Sequence, residues 1–110
     1  NARRYVGEVA AVRVLLEDGV DLREHAYVGQ KVSVGHDAVV EPYARLQHGC
    51  NVGGYVHVGR AATIGSGATV IHELVIGDGA FVAAGAAVTE DVPERALVAG
   101  VPAVVRKFLS

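Results

Sequence analysis

The chain has 110 residues, enough for one domain, and a formal net charge of −2 at neutral pH. Its ten basic and twelve acidic residues are mixed along the sequence, so no basic patch predicts nucleic acid or an anionic membrane as a partner. No apolar run approaches the ~20 residues of a membrane span and no signal peptide is apparent, so we expect a cytoplasmic protein. Hydrophobic residues make up 51% of the chain, without Met or Trp, and they are mostly Val and Ala, which favours a narrow core.

The N-terminal residues are irregular. The sequence opens Asn1-Ala2-Arg3 without a methionine, so we expect residues 1–2 to be a cloning remnant, or the chain to be the C-terminal part of a longer protein. Residues 5–15 carry an imperfect six-residue unit, which we expect to begin the first coil of the repeat that follows.

A branched aliphatic residue recurs at every sixth position from Leu16 to Val88, without a break. Four positions after each of them, from Val20 to Ala86, lies a second series of small or apolar residues. A period of six matches neither a helix at about 3.6 nor a strand at about 2. It is typical of a hexapeptide solenoid, an all-β fold in which three units complete a coil, so residues 18 apart are predicted to stack.

Two residue types fit this repeat. Cys50 falls on the inward small position, where packing in the core is its expected role, and a single cysteine cannot form an internal disulfide. Glycine follows the aliphatic position in six units, where we expect a tight corner to need its permissive φ and ψ. These glycines are Gly29, Gly35, Gly53, Gly59, Gly65 and Gly77.

The repeat stops after Val88. Residues 89–94 are mostly polar and include Pro93, which predicts a turn that leaves the solenoid. Residues 104–109 are expected to form a short strand or helical tail that caps the last coil, since an open solenoid end exposes strand edges. We therefore divide the chain into a β-helix domain at residues 1–92 and a C-terminal turn and capping tail at residues 93–110.

The histidines do not have the spacing of a metal site. A zinc site needs three convergent ligands, and no two of these histidines lie 18 residues apart. Ligands could converge across a subunit interface, as in the γ-class carbonic anhydrases, but that family has two histidines five apart and this chain has no such pair. We expect no metal. The five histidines are His25, His36, His48, His57 and His72.

His36 and Asp37 form a candidate acid–base pair at a corner between two units. A neighbouring carboxylate can fix the tautomer of an imidazole and raise its basicity, although a surface His-Asp pair is often only a solvated corner. Gly54 lies one coil above His36, where its backbone N–H could donate to an oxyanion. His48, Ser66 and Ala84 form a second column at a different corner.

The chain resembles the left-handed parallel β-helix acyltransferases, which use acyl-coenzyme A. Within that superfamily it is similar to the sialic-acid O-acetyltransferases and the UDP-4-amino-sugar N-acetyltransferases. The left-handed coil is implied by this resemblance, and it runs against the usual right-handed crossover rule. The stretches that carry the resemblance are VGHDAVVE at 34–41, GGYVHVG at 53–59, IGDGAFV at 76–82 and VAGVPA at 98–103.

The resemblance implies an acetyl-CoA-dependent transfer to an amino or hydroxyl group of a sugar or nucleotide-sugar. His36 would be the general base, Asp37 would orient it, and the Gly54 amide would stabilise the oxyanion. Ser66 and Ala84 match positions whose backbone meets the pantetheine arm. The resemblance also implies a homotrimer whose active sites lie between subunits. In the implied mechanism the acceptor attacks the thioester directly.

Two departures from the family pattern accompany the resemblance. Family members often carry a second histidine nine residues after the base, and here that residue is Arg45, which could meet a phosphate or carboxylate of a substrate. His48 shares the column of Ser66, so we include Arg45 and His48 among the candidate coenzyme contacts. Many members also have an N-terminal half that binds the nucleotide sugar. These 110 residues do not include it, so we expect either a C-terminal fragment or an acceptor that is held in some other way.

The sequence leaves two alternative functions open. The first is a non-catalytic hexapeptide scaffold or assembly domain, because fold alone never proves function. The second is a metal enzyme of the γ-carbonic-anhydrase type, which the histidine spacing disfavours. Coenzyme binding separates the acetyltransferase from the scaffold, and metal analysis separates both from the metal enzyme.

Overall fold

A computed structural model describes residues 13–110 of the chain in full and, before them, the backbone of strands Arg4–Tyr5 and Glu8–Val9. Parallel strands stack as a β-solenoid of about five turns, and this part of the chain contains no helix, hence none that could cross a membrane. The solenoid fits a left-handed parallel β-helix. The predicted fold class is therefore confirmed.

Most strands contain two residues, and from β3 to β15 there is one strand in each six-residue unit. The strands are β1 (Arg4–Tyr5), β2 (Glu8–Val9), β3 (Leu15–Leu16), β4 (Asp21–Leu22), β5 (Tyr27–Val28), β6 (Ser33–Val34), β7 (Val39–Val40), β8 (Arg45–Leu46), β9 (Asn51–Val52), β10 (His57–Val58), β11 (Thr63–Ile64), β12 (Thr69–Val70), β13 (Val75–Ile76), β14 (Phe81–Val82), β15 (Ala87–Val88), β16 (Ala96–Ala99) and β17 (Val104–Phe108).

These strands form three sheets. The first sheet has the order β1-β4-β7-β10-β13, the second β17-β16-β14-β11-β8-β5-β2, and the third β15-β12-β9-β6-β3. The predicted stacking of residues 18 apart is confirmed, as in the pairing of Thr63 with Phe81 in the second sheet. In the first coil the spacing differs from 18 by one residue. Arg4 pairs with Asp21, one residue fewer than 18 apart, and Glu8 of β2 pairs with Tyr27, one residue more than 18 apart. The remnant predicted at residues 1–2 and part of the imperfect unit predicted at residues 5–15 lie outside the described residues.

The core is a narrow column formed by the two repeating series. Every branched residue of the first series from Leu22 to Val88 is buried, and Leu16 is half-buried at the start. The second series is buried throughout the described chain except for Leu74, which packs against the core while partly exposed. Burial of each branched side chain contributes about 1.5–3 kcal/mol, so the hexapeptide pattern itself supplies most of the stabilisation.

The six glycines after the aliphatic positions are needed for space, which corrects the expectation that they supply a special backbone conformation. None of them has a positive φ. A Cβ on Gly35 would collide with the Gly54 backbone nitrogen of the next coil, and one on Gly53 would lie 2.6 Å from the His72 nitrogen. The left-handed conformation falls two residues later, for example at Asp37 (φ 60°) and Tyr55 (φ 59°).

The C-terminal residues continue the strand pairing before they turn back. Val92 forms a parallel bridge with Ile76, and β16 pairs parallel with β14. β17 then pairs antiparallel with β16 and forms one edge of the second sheet. The predicted capping tail is therefore a strand. Strand pairing continues across residues 92–93, and the division into two domains at that point stays a prediction.

Candidate active site

His36, Gly54 and His72 stack at one corner of the solenoid, which we call the His36 corner. It comprises the turns that lead from the third sheet to the first, at residues 35–38, 53–56 and 71–74. Backbone bonds between coils hold the stack. Tyr55 N–H donates to the His36 carbonyl at 2.9 Å, and Glu73 N–H donates to the Gly54 carbonyl at 2.9 Å. The column predicted from the spacing of 18 is therefore present.

The His36 imidazole lies half-exposed beside the Asp37 carboxylate. His36 Nδ1 is 3.4 Å from Asp37 Oδ2, at the long end of the hydrogen-bond range, and the histidine side chain is 55% exposed. The His36 backbone N–H donates to Glu17 Oε1 at 3.0 Å. The structure thus brings together the two residues of the predicted acid–base pair and anchors the histidine backbone to the preceding coil.

Gly54 faces the other edge of the imidazole. A Cβ at this position would lie 3.1 Å from His36 Nε2 and 3.3 Å from both ring carbons beside it. Among the residues that the structure describes, no hydrogen bond involves the Gly54 N–H. The absence of a side chain therefore keeps space open at Nε2, and the Gly54 N–H is a backbone donor in the same turn.

Tyr55 contacts His36 and was missed by the sequence reasoning. The two rings meet edge to face, with centroids 5.0 Å apart and an interplanar angle of 89°. The signal that could have found Tyr55 is its place directly after Gly54, one coil above the candidate base. The repeat gives this placement, but the direction of the tyrosine ring comes from the structure.

A shallow cavity of about 380 Å³ opens beside His36. Its other lining residues are Leu15, Leu16, Glu17 and Asp18, from β3 and the turn after it. The cavity lining therefore combines apolar and acidic residues next to the candidate base.

The predicted coenzyme contacts lie elsewhere on the solenoid. His48, Ser66 and Ala84 are exposed and stack at the corner between the second and third sheets, where Gly67 N–H donates to the His48 carbonyl at 3.0 Å and Gly85 N–H to the Ser66 carbonyl at 2.9 Å. We call this the Ser66 corner. Arg45 lies at neither corner. It is exposed on the face of the second sheet, between Tyr27 and Thr63.

A separate group of charged residues lies on the first sheet. Glu41 contacts Arg23 Nη1 at 2.9 Å and His57 Nε2 at 2.6 Å, while Arg23 Nε donates to Asp21 at 3.1 Å. These carboxylates, Asp21 first, raise the pKa of the Arg23 guanidinium above its ordinary value. His57 therefore lies at one end of a chain of polar contacts on this sheet.

Two further observations concern the cysteine and the possible metal ligands of the described chain. Burial raises the pKa of the Cys50 thiol to about 12, which matches its predicted packing role in the core, since the thiolate is the reactive form. Within residues 13–110, no three His, Cys, Asp or Glu side chains are arranged to hold a metal ion.

Two known proteins are similar to this chain in sequence, although no family model is. No protein-family model matches the chain. The putative acetyltransferase YvoF of Bacillus subtilis is 31% identical over 100 residues, which cover 91% of this chain and 58% of YvoF. Serine acetyltransferase 4 of Arabidopsis thaliana is 33% identical over 101 residues, which cover 77% of this chain and 28% of that protein. The chain thus spans less than two thirds of either relative.

Two solved structures are also similar to this chain. WeeI from Acinetobacter baumannii AYE matches with a TM-score of 0.85 and 27% identity, over 94% of this chain and 53% of that one. PerB from Caulobacter crescentus, solved in complex with CoA and GDP-perosamine, matches with a TM-score of 0.55 and 29% identity, over 93% of this chain and 55% of that one. Together with the repeat and the fold, these similarities show that the chain belongs to the hexapeptide-repeat acetyltransferase family.

Proposed function

We propose that the protein transfers an acetyl group from acetyl-CoA to an amino or hydroxyl group of a sugar or nucleotide-sugar, with His36 as the general base. The observation that carries this proposal is the arrangement at the His36 corner. One edge of the imidazole faces Asp37, and the other faces the backbone of a glycine that has no side chain to block it.

The chemistry follows from this arrangement. With the Nδ1 proton donated to Asp37, His36 Nε2 carries the lone pair that accepts the proton of the acceptor's N–H or O–H group. The acceptor atom then attacks the thioester carbonyl carbon, and the Gly54 N–H donates to the oxyanion that forms. When the tetrahedral intermediate collapses, the carbon–sulfur bond breaks, and the imidazolium returns its proton to the thiolate of coenzyme A.

The coenzyme is assigned to the Ser66 corner and the adjacent face. The small side chains of Ser66 and Ala84 leave their backbones accessible to a pantetheine arm, and His48 and Arg45 add polar and cationic groups nearby. The two corners lie at opposite ends of the strands of the third sheet, and both are exposed. We therefore propose a homotrimer in which a second copy closes the site. The cytoplasmic location also stays a prediction.

Two observations bear on the acceptor. A nucleotide-sugar is supported by PerB, whose structure contains GDP-perosamine as well as CoA and covers 93% of this chain. Serine is the second candidate acceptor, because a serine acetyltransferase is among the relatives that share 33% identity. Both acceptors carry a primary amine or hydroxyl that a histidine base can deprotonate.

Calorimetric titration with acetyl-CoA, together with the mass of the protein in solution, tests the proposal. We expect a trimer that binds about one acetyl-CoA per subunit. Release of free coenzyme A is then measured with GDP-perosamine and with L-serine, and we expect turnover with the nucleotide-sugar. A trimer that binds no coenzyme would instead support the scaffold alternative.

A further inference from the structure

His36 needs a second contact to stay in a catalytic orientation. Its side chain is 55% exposed, and its distance to Asp37 of 3.4 Å is long for a hydrogen bond. An exposed side chain ordinarily populates several staggered rotamers. A general base has to be held within a narrow geometry, since a displacement of about 1 Å reduces the rate by about 10²-fold.

Tyr55 supplies that contact. Its ring meets the imidazole edge to face at 5.0 Å, which is a preferred geometry for two aromatic rings. The backbone of Tyr55 is itself fixed, because its N–H donates to the His36 carbonyl at 2.9 Å. The ring therefore extends from a part of the corner that is bonded directly to His36.

Tyr55 is also a chain neighbour of the candidate oxyanion donor. It follows Gly54 directly, and the Gly54 backbone faces Nε2. A ring in contact with the imidazole restricts the rotamers that His36 can adopt. With Asp37 on the Nδ1 side, the imidazole is then restrained from two directions.

The chain contains a matched tyrosine at another corner. Tyr43 occupies the same place in its hexapeptide, with φ 66° against 59° for Tyr55. Its ring also contacts a histidine, His25, at 5.0 Å, and it is 51% exposed against 56% for Tyr55. Tyr43 thus shares the backbone conformation and exposure of Tyr55, but it belongs to the corner between the first and second sheets. Its ring is stacked on His25 at an interplanar angle of 19°, and the Arg60 guanidinium lies 5.3 Å from its centroid.

We infer that Tyr55 is a positioning residue, which holds the His36 imidazole against Gly54 through its aromatic ring. This inference rests on the proposed function, because it assigns Tyr55 a role through the base His36. The hydroxyl group is not needed for the contact, so phenylalanine is expected to replace tyrosine and an aliphatic residue is not.

The test compares Tyr55→Leu and Tyr55→Phe with Tyr43→Leu in acetyl transfer to GDP-perosamine. We expect Tyr55→Leu to lower kcat by about 10-fold, less than loss of the base itself, and to leave the KM for acetyl-CoA within about twofold. Tyr55→Phe and Tyr43→Leu are expected to stay within about twofold of the wild type in kcat. A merely structural tyrosine would give equal effects at positions 55 and 43.

Proton NMR of the imidazole signals gives a readout that does not depend on turnover. The ring current of Tyr55 shifts the His36 resonances, so Tyr55→Leu should move them, Tyr55→Phe should preserve them, and Tyr43→Leu should move those of His25 instead. Unchanged His36 signals or unchanged kcat in Tyr55→Leu, with an active wild type, would overturn this inference alone. A wild-type protein that binds acetyl-CoA but transfers no acetyl group would overturn the proposed function, and this inference with it.

Discussion

Replacing Gly54 by alanine is expected to disable the site while leaving the fold intact. The added methyl group would lie 3.1 Å from His36 Nε2 and 3.3 Å from Cδ2 and Cε1. Carbon contacts are ordinarily about 3.5–4.0 Å, so the imidazole must move by several tenths of an ångström or rotate to another rotamer. Because its side chain is half-exposed, rotation is the easy response.

The displacement of the imidazole determines the expected loss of activity. Loss of the base geometry predicts a fall in kcat of about 10²-fold. Stability should change by less than about 1 kcal/mol, since Gly54 has no positive φ and its new neighbour is a movable side chain. The assay is release of coenzyme A with GDP-perosamine as acceptor, alongside thermal unfolding.

Gly79→Ala is the matched control for Gly54→Ala. Gly79 has φ 67°, and a Cβ there would meet only the flexible side chain of Arg95 at 3.3 Å. We expect this variant to lose about 1 kcal/mol of stability through backbone strain and to keep its activity. A Gly54→Ala protein that transfers acetyl groups within threefold of the wild-type rate would refute the assignment of His36 and Gly54 to one site.

Two further predictions concern the fold. Gly35→Ala should lower the free energy of unfolding by about 2 kcal/mol or more, because its Cβ would collide with the backbone of Gly53 and Gly54. In Gly49→Ala no atom lies within 4 Å of the Cβ, so only the strain of its φ of 72° remains, and it should lose about half as much. Equal losses in denaturant unfolding would contradict this reasoning. Burial raises the pKa of the Cys50 thiol from 9.0 to about 12, so above pH 9 the unfolded chain loses a proton that the folded chain keeps, and stability falls. Relative to Cys50→Ala, the wild type should lose about 1 kcal/mol between pH 9 and pH 10, and a constant difference would contradict the burial argument.

The hexapeptide pattern made the fold predictable to the level of individual rungs. Because the side chains of both series must all enter one narrow column, the period of six determines which residues face inward and which pair across coils. The column of His36, Gly54 and His72 follows from the same arithmetic. The role of the glycines could not be predicted in this way, because crowding between coils at Gly35 and Gly53 depends on a backbone spacing that the sequence alone does not show.

The contacts of exposed side chains were the part that could not be predicted. The repeat places Tyr55 above Asp37, yet nothing in the spacing says that its ring turns toward His36. The contact of His57 with Glu41 spans 16 residues rather than 18, so it lies outside the stacking rule. Periodicity fixes backbone positions, and the rotamers of corner residues depend on local packing.

The most direct test of the account is acetyl transfer by His36→Ala beside the wild-type protein. With acetyl-CoA and GDP-perosamine, we expect the wild type to release coenzyme A and acetylated sugar in equal amounts. His36→Ala should bind acetyl-CoA and keep the mass of the wild type in solution, while its rate falls by about 10²–10⁴-fold. An equal rate in the two proteins would contradict the assignment of His36 as the general base.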